Sequence, residues 1–335
     1  MRPILLACAL CALPFSAQAE TEIEDIVNGH ILPRFKALAE TSQTLAETAV
    51  ADCTPTSDAL RTAYGAAFDA WITASHLRFG PTETQDRAFA LAFWPDSRGA
   101  TPRALAGLIE DEDPIAETAE SYTDMSIAAR GFYALEFLLY DDTLSTAGDP
   151  VYHCQLVQTV AADIAQTSDA IWADWRGGYA QTLLTPDQSG NYRTNEEVLQ
   201  EMFKSLSTGL EVTSDLRLGR PLGTFDAPRP TRAEAYRSGR SARHVDLSLT
   251  SQRDLADRIA VGDPGLAAEL AAEFDATLSR LDSLNDPIFA GVAAPQSRLR
   301  VEVIQQDVDV IRDTVTMKLG PVLGVAAGFN ALDGD

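Results

Sequence analysis

Residues 299–319 read LRVEVIQQDVDVIRDTVTMKL, and the apolar side chains of this stretch recur at every third or fourth position. The series consists of Ile304, Val308, Ile311, Val315 and Leu319. This spacing places the side chains on one face of an α-helix, which then packs by that face. Elsewhere alanine and leucine are abundant, and the two-residue alternation typical of strands is nearly absent. The sequence therefore predicts an all-α protein.

The helical pattern recurs along the chain and is interrupted by clusters of glycine and proline. Predicted helices cover residues 23–51, 57–79, 122–140, 152–184, 195–218, 265–284 and 299–319. The order and rough length of these elements repeat after Asp149-Pro150, which indicates an internal duplication. Because 335 residues exceed one compact core, we expect two similar helical bundles that share an interface, at residues 20–149 and 150–335.

The start of the chain has the features of a cleavable signal peptide. Arg2 supplies a positive charge, and residues 4–15 form an apolar run too short to span a bilayer. Ala17-Gln18-Ala19 has the small residues that a signal peptidase requires. We therefore expect residues 1–19 to be removed and the mature protein to act outside the cytoplasm. The remaining sequence shows no second hydrophobic span, so no transmembrane segment is predicted.

Loss of the signal peptide would leave two cysteines, Cys53 and Cys154. Disulfides persist in the oxidising compartments outside the cytoplasm, so we expect these residues to pair. The alternative is two unpaired buried thiols. Two cysteines are too few for a structural zinc site of the usual thiolate kind.

Charge excludes several classes of partner. The formal net charge is −23, from 49 acidic and 26 basic residues. Such a chain repels phosphate backbones and anionic membrane surfaces, so nucleic acid is not an expected partner. The excess of carboxylates fits either the attraction of cations or a solvated surface that keeps an exported protein soluble.

Six short blocks, in this order, span nearly the whole predicted mature chain. They are His30-x-x-Pro33-Arg34-Phe35, Leu77-Arg78-Phe79-Gly80-Pro81, Phe93-Trp94-Pro95-Asp96, Gly131-Phe132-Tyr133-Ala134-Leu135-Glu136, Arg237-Ser238-x-Arg240-Ser241 and Gly328-Phe329-Asn330-Ala331-Leu332-Asp333-Gly334-Asp335. Together they resemble the imelysin family.

The resemblance implies a pair of related four-helix bundles with a functional cleft at their interface. It also implies a periplasmic protein of bacterial iron uptake, with iron as Fe²⁺ or Fe³⁺ or an iron chelate as ligand. An envelope iron-transport component would be its partner. Family members were formerly classed as metallopeptidases because of a GxHxxE motif, but their fold is not that of known HxxE peptidases. A metallopeptidase and a ligand-free envelope scaffold are the alternatives to an iron-binding protein.

The family motif appears here as Gly131-x-Tyr133-x-x-Glu136, with tyrosine in place of histidine. Positions i and i+3 share one face of a helix, so Tyr133 and Glu136 could act together as oxygen ligands of iron. A phenol titrates near pH 10, however, and must lose its proton to serve as a ligand. The alternatives are core packing for Tyr133 and an arginine-paired buried carboxylate for Glu136. The missing histidine argues against peptidase chemistry.

His30 precedes Pro33, which lies within a helical pattern and should kink the helix. The kink would leave the Gly29 carbonyl free beside the imidazole, a setting that suits either a polar or cation site or a simple cap of the broken turn. His30 and Glu136 are the predicted metal ligands. The other histidines, His76, His153 and His244, are expected at surface or packing positions.

Arginines cluster in an otherwise acidic chain at Arg232, Arg237, Arg240 and Arg243. Arg237 and Arg240 suit bidentate pairing with Glu136, with Asp96 or with an anionic ligand such as a carboxylate chelator. Ion pairing between the two bundles is the alternative. The predicted residues of the cleft are Trp94, Asp96, Arg98, Tyr133, Arg237 and Arg240.

Overall fold

The computed structural model describes residues 15–325, and its regular structure is helical, which confirms the all-α prediction. The α-helices are α1 (Phe15–Ile26), α2 (Leu32–Ala51), α3 (Asp58–Ala74), α4 (Arg87–Leu91), α5 (Ala100–Asp111), α6 (Ala119–Tyr122), α7 (Gly131–Tyr140), α8 (Pro150–Asp174), α9 (Ala180–Leu184), α10 (Asn195–Glu211), α11 (Gly219–Leu222), α12 (Ser241–Ile259), α13 (Pro264–Leu284), α14 (Pro295–Thr314) and α15 (Gly320–Val322). Short 3₁₀ turns occupy parts of the connecting segments.

Four π-helical turns interrupt the long helices. They are Val27–Ile31, Trp175–Tyr179, Val212–Leu218 and Val315–Leu319. The first lies directly before Pro33, where the sequence predicted an irregular turn. A π turn widens the helix and is frequent at functional sites, because it re-aims side chains without ending the helix. Here it places His30 inside the protein, with no exposed surface.

The long helices pack in two rings of four. Helices α2, α3, α7 and α8 form the first ring, and α10, α12, α13 and α14 form the second. The rings meet where α3 packs against α12, while α1 contacts α10 and α12. Helix α8, which begins at Pro150, packs against α2 and so takes part in the first ring. Division into domains at residues 149 and 150, and internal duplication, stay predictions.

Two helix assignments from the sequence were inaccurate. Residues 122–140 do not form one helix, because only Gly131–Tyr140 is regular and the preceding residues form short turns. Conversely, the helices predicted from the sequence leave a gap between residues 218 and 265, where the structure has α12. This helix follows a glycine-rich and arginine-rich segment directly, and its many charged residues hide the buried stripe that includes Val245, Leu249 and Leu255.

The terminal predictions are only partly covered by the structure. Most of the predicted signal peptide, residues 1–14, and the last block, residues 328–335, lie outside the described residues. Cleavage after Ala19 stays a prediction. Within the described part of the chain, every helix is too short or too polar to cross a membrane.

A disulfide joins Cys53 to Cys154, as predicted. Cys53 follows the end of α2, Cys154 lies in the first turns of α8, and their Cα atoms are 5.2 Å apart. The bond closes a loop of 101 residues and ties together two neighbouring helices of the first ring. In the chain-entropy model, a loop of this size gives a stabilisation of roughly 4 to 5 kcal/mol.

The double variant Cys53→Ser/Cys154→Ser should therefore unfold at lower denaturant concentration. We expect its free energy of unfolding to be about 4 kcal/mol below that of the wild type, because the unfolded chain regains its loop entropy. Urea unfolding followed by circular dichroism measures the difference. Reduction of the wild-type protein should reproduce the effect, and equal stability of the two forms would contradict it.

Candidate functional site

Two adjoining cavities lie beside the contact between the helix rings. The first has a volume of about 310 Å³ and is lined by the end of α3, by α10 with its π turn, and by Gln252 of α12. The second has a volume of about 210 Å³ and is lined by the segments before α5 and α12 and by Glu136 of α7. Trp94 and Tyr133 line both cavities. These residues therefore mark the boundary between them.

Helix α7 positions the two motif residues through its first residue, Gly131. Its φ is +76°, a left-handed conformation that favours glycine, and a Cβ atom there would lie 2.2 Å from the Leu91 carbonyl oxygen. The close approach fixes the start of α7 against α4. Tyr133 and Glu136, one turn further on, are both buried, at 6% and 2% exposure.

The phenol of Tyr133 donates a hydrogen bond to Glu234. Burial, together with the neighbouring Glu234 carboxylate, raises the pKa of this phenol well above its ordinary value. Tyr133 therefore keeps its proton and acts as a donor. A deprotonated Tyr133, which the sequence analysis considered as an iron ligand, is not what this arrangement stabilises.

Glu234 is a buried carboxylate in the irregular segment before α12. Arg217 Nε donates to its Oε2 at 2.6 Å, and His244 Nδ1 lies 3.2 Å from the same oxygen. Burial alone would raise the pKa of Glu234, but Arg217, His244 and Tyr133 outweigh it and hold the pKa well below its usual range. The ionised carboxylate thus joins α7 of the first ring to α10's π turn and α12 of the second.

Glu136 has a different partner from the one expected. Its Oε1 accepts hydrogen bonds from Ser238, from the backbone N at 2.9 Å and from Oγ at 2.7 Å. Burial raises the pKa of Glu136, although Ser238 and Arg237 oppose the shift. Its carboxyl group borders the second cavity.

Three of the four clustered arginines, Arg237, Arg240 and Arg243, are ion-paired within the protein. Arg237 Nε donates to Asp141 at 2.9 Å, and its guanidinium lies 3.8 Å from the ring centre of Phe137. Arg240 and Arg243 share Asp69 of α3, with an Nε–Oδ2 distance of 2.8 Å for Arg243. Direct pairing of Arg237 and Arg240 with Glu136 or Asp96 was therefore a wrong prediction. Arg240 instead pairs with Asp69 of the other ring, as in the alternative of ion pairing between the two bundles.

Asp96 serves as the N-terminal cap of α5. Its carboxylate accepts backbone hydrogen bonds from Ala100 at 2.9 Å and Thr101 at 2.8 Å. These bonds satisfy amide groups that a helix start leaves free, and they lower the pKa of Asp96 despite its partial burial. Arg98 is exposed and lines neither cavity.

Trp94 is the predicted cleft residue with the most central position. Its ring stacks on Tyr133 with centroids 6.3 Å apart, and the guanidinium of Arg220 lies 5.6 Å from its ring centre. Arg220 was not singled out from the sequence. Its Nε is buried without a hydrogen-bond partner among the described residues.

His30 forms the centre of a buried relay. Its Nδ1 lies 2.7 Å from Asp254 Oδ2, and its Nε2 lies 2.9 Å from Nε2 of His76. Arg34 also pairs with Asp254, at 3.0 Å, and donates to the His30 carbonyl oxygen at 2.7 Å. Both imidazole nitrogens of His30 are thus occupied, which leaves no free lone pair for a metal. The structure does not bring His30 and Glu136 together as a ligand pair.

Sequence reasoning missed the importance of His76 and His244, which it placed at surface or packing positions. Both are buried, at 5% and 0% exposure, and both contact charged or polar side chains of the centre. His153 is a packing residue as expected, with Nε2 3.1 Å from the Leu144 carbonyl oxygen. His76 directly precedes the block that begins at Leu77, which is the only local signal of its role.

The protein is all-helical, and two cavities lined partly by buried polar side chains lie where its two rings of helices meet. The imelysin family model, Peptidase_M75, matches residues 31–315, so the chain belongs to the imelysin family. A comparison with curated proteins finds no significant match.

Two solved structures share the fold over nearly their whole length. An imelysin-like protein from Psychrobacter arcticum 273-4 has 20% identity and a TM-score of 0.79, covering 97% of this chain and 100% of that one. An iron-regulated protein A precursor from Parabacteroides distasonis ATCC 8503 has 14% identity and a TM-score of 0.76, covering 94% and 98%. At these identities the similarity establishes the fold.

The variant Glu234→Gln should destabilise the protein by about 3 to 5 kcal/mol, because it leaves the Arg217 guanidinium buried without its counter-ion. Tyr133→Phe is the matched control, since it removes one hydrogen bond to the same carboxylate and should cost about 1 to 2 kcal/mol. Urea unfolding of both variants gives the comparison. Equal losses would show that the charge pair is not the dominant interaction.

Acidification should weaken the protein through His30. Burial lowers the pKa of His30 to about 4, despite its bond to Asp254, so the unfolded chain takes up a proton from about pH 6.5 downward while the folded form does not. Stability should therefore fall between about pH 6.5 and pH 4, by up to about 3 kcal/mol from this group. The free energy of unfolding of the wild type and of His30→Gln is measured across this pH range. It should fall more steeply with decreasing pH in the wild type, and equal slopes would contradict the role of His30.

Proposed function

We propose that this protein binds iron as a complex with an anionic, carboxylate-bearing chelator, in the two cavities that meet at Trp94 and Tyr133. The observation that carries the proposal is Arg220, a cation without a carboxylate partner beside the second cavity. Arg220 is partly exposed and its Nε is buried without a hydrogen-bond partner, so an anion in the cavity would give this guanidinium a charged partner. The family and the neighbour named as an iron-regulated protein support iron as the cargo.

Charge distribution favours an anion at this point. Arg232 lines the same cavity, and among the described residues neither Arg220 nor Arg232 has an ion-pair partner. Burial, with Arg232 nearby, lowers the pKa of the Arg220 guanidinium, which reflects an environment that is unfavourable to a second positive charge. A chelator carboxylate would relieve both effects and would form the bidentate bonds that guanidinium groups favour.

The shape of the site fits a small organic complex. The cavity walls combine the Trp94 and Tyr133 rings, which give apolar surface, with polar and charged side chains such as Gln252 in the first cavity and Glu136 in the second. Volumes of about 310 Å³ and 210 Å³ correspond to ligands of modest size. Such sites orient a ligand through a small number of polar contacts while the aromatic walls supply most of the buried area.

This function is that of an exported binding protein rather than a peptidase. The motif position that would be histidine is Tyr133, and its hydroxyl is committed to Glu234. The disulfide and the signal-peptide features favour a periplasmic location. We infer an envelope iron-transport component as the partner that would accept the iron complex.

Calorimetric titration with ferric citrate tests the proposal. Wild type should bind, and Arg220→Gln should bind about 10- to 100-fold more weakly, which corresponds to the loss of one charged hydrogen bond of about 1.5 to 3 kcal/mol. Arg243→Gln is the matched control, because Arg243 pairs with Asp69 and lines neither cavity. No binding by wild type, or equal weakening by both variants, would refute the assignment of the anion site.

A further inference from the structure

The first cavity contains a cluster of polar atoms without partners. His76 Nδ1, Gln252 Oε1 and Thr208 Oγ1 are buried, line this cavity and have no hydrogen-bond partner among the described residues. His76 and Gln252 are only 5% and 1% exposed. Native proteins pair nearly all buried polar atoms, so three unpaired atoms around one space indicate that something polar fills it.

The relay behind His76 determines what its free nitrogen can do. Asp254 is an acceptor, so His30 carries its proton on Nδ1 and its Nε2 accepts. His76 must then donate from Nε2, 2.9 Å away, which leaves a lone pair on Nδ1. Burial lowers the pKa of both imidazoles, so both stay neutral near pH 7. The cavity therefore contains an acceptor nitrogen of fixed tautomer.

This arrangement is typical of a metal-binding histidine. Imidazoles that bind metals almost always donate their second nitrogen to an acceptor, which orients the ring. Here the chain runs from His76 through His30 to Asp254, and Arg34 holds the carboxylate from the other side. Thus the free nitrogen is held in place before any ligand arrives.

We propose that His76 Nδ1 binds the metal of the chelate that enters the cavity. It would replace a water molecule at a coordination position that the chelator does not occupy. This inference rests on the proposed function, and it defines the cargo as an iron complex with one exchangeable position. The Gln252 and Thr208 oxygens accept hydrogen bonds from water or hydroxyl groups on the complex. Neutral imidazole suits first-row transition metals in such a position.

The surroundings favour a complex over a free ion. No group of three or more His, Cys, Asp and Glu side chains that could hold a metal occurs in the described part of the chain. The two arginines near His76 are each ion-paired, Arg34 with Asp254 and Arg217 with Glu234. A bare cation would lack ligands there, whereas a chelate brings its own ligands and needs only one more from the protein.

Electron paramagnetic resonance with copper(II)–citrate tests the nitrogen ligand directly. Wild type should show hyperfine coupling to one imidazole nitrogen, and labelling the protein with ¹⁵N-histidine should change the pattern accordingly. His76→Gln should lose the coupling and should bind ferric citrate at least tenfold more weakly, with no change for citrate alone. His153→Gln is the control and should keep the coupling, because that imidazole lies outside both cavities.

The outcomes separate the two proposals. Ferric citrate binding by wild type without any nitrogen coupling would overturn the role of His76 and leave the anion site intact. The same holds for coupling that persists in a folded His76→Gln protein. If wild type binds neither citrate nor ferric citrate, the proposed function itself fails. The isotope experiment needs no variant, so the absence of histidine coupling in the wild type would overturn the proposal even if His76→Gln does not fold.

Discussion

The structure of the junction depends on the buried carboxylate of Glu234. It is ionised, nearly without solvent contact, and held by Arg217, Tyr133 and His244 from three different elements. A charge in such a position is tolerated only when its partners are fixed, because an unpaired buried charge costs several kcal/mol, roughly 3 to 5. Because Glu234 must keep these partners, the irregular segment before α12 is held against α7 and against the π turn after α10. The residues that line both cavities are positioned by this contact.

Several polar contacts cross the boundary between the two rings. Arg240 and Arg243 pair with Asp69, and the relay from His76 to Asp254 crosses the same boundary. Apolar packing within each ring stabilises the fold but is not directional. The ion pairs and hydrogen bonds between the rings are directional, so they restrict how α3 and α12 can be placed relative to each other. The polar contacts thus determine where the rings meet, and the space that they leave becomes the pair of cavities.

An anionic cargo is compatible with a protein of net charge −23 because the relevant charges act at different ranges. The acidic surface is screened beyond about 8 Å at physiological ionic strength. The guanidinium of Arg220 is partly exposed at the wall of the second cavity, so it would attract an anion there at close range, where salt screening is weak. Local arginines would therefore govern the proposed binding of an anionic complex, while the acidic surface favours solubility and separation from other anionic macromolecules.

The sequence alone determined the helical class, the disulfide and the family, because apolar periodicity, cysteine pairing and short motifs are read within a few residues or from composition. It also identified Trp94, Tyr133 and Glu136, which do line the cavities. Only the tertiary structure decided the partners. His30 meets Asp254 across 224 residues of chain, and Tyr133 meets Glu234 across 101. Helical spacing fixes which residues share a face, but the folded packing alone decides what that face meets.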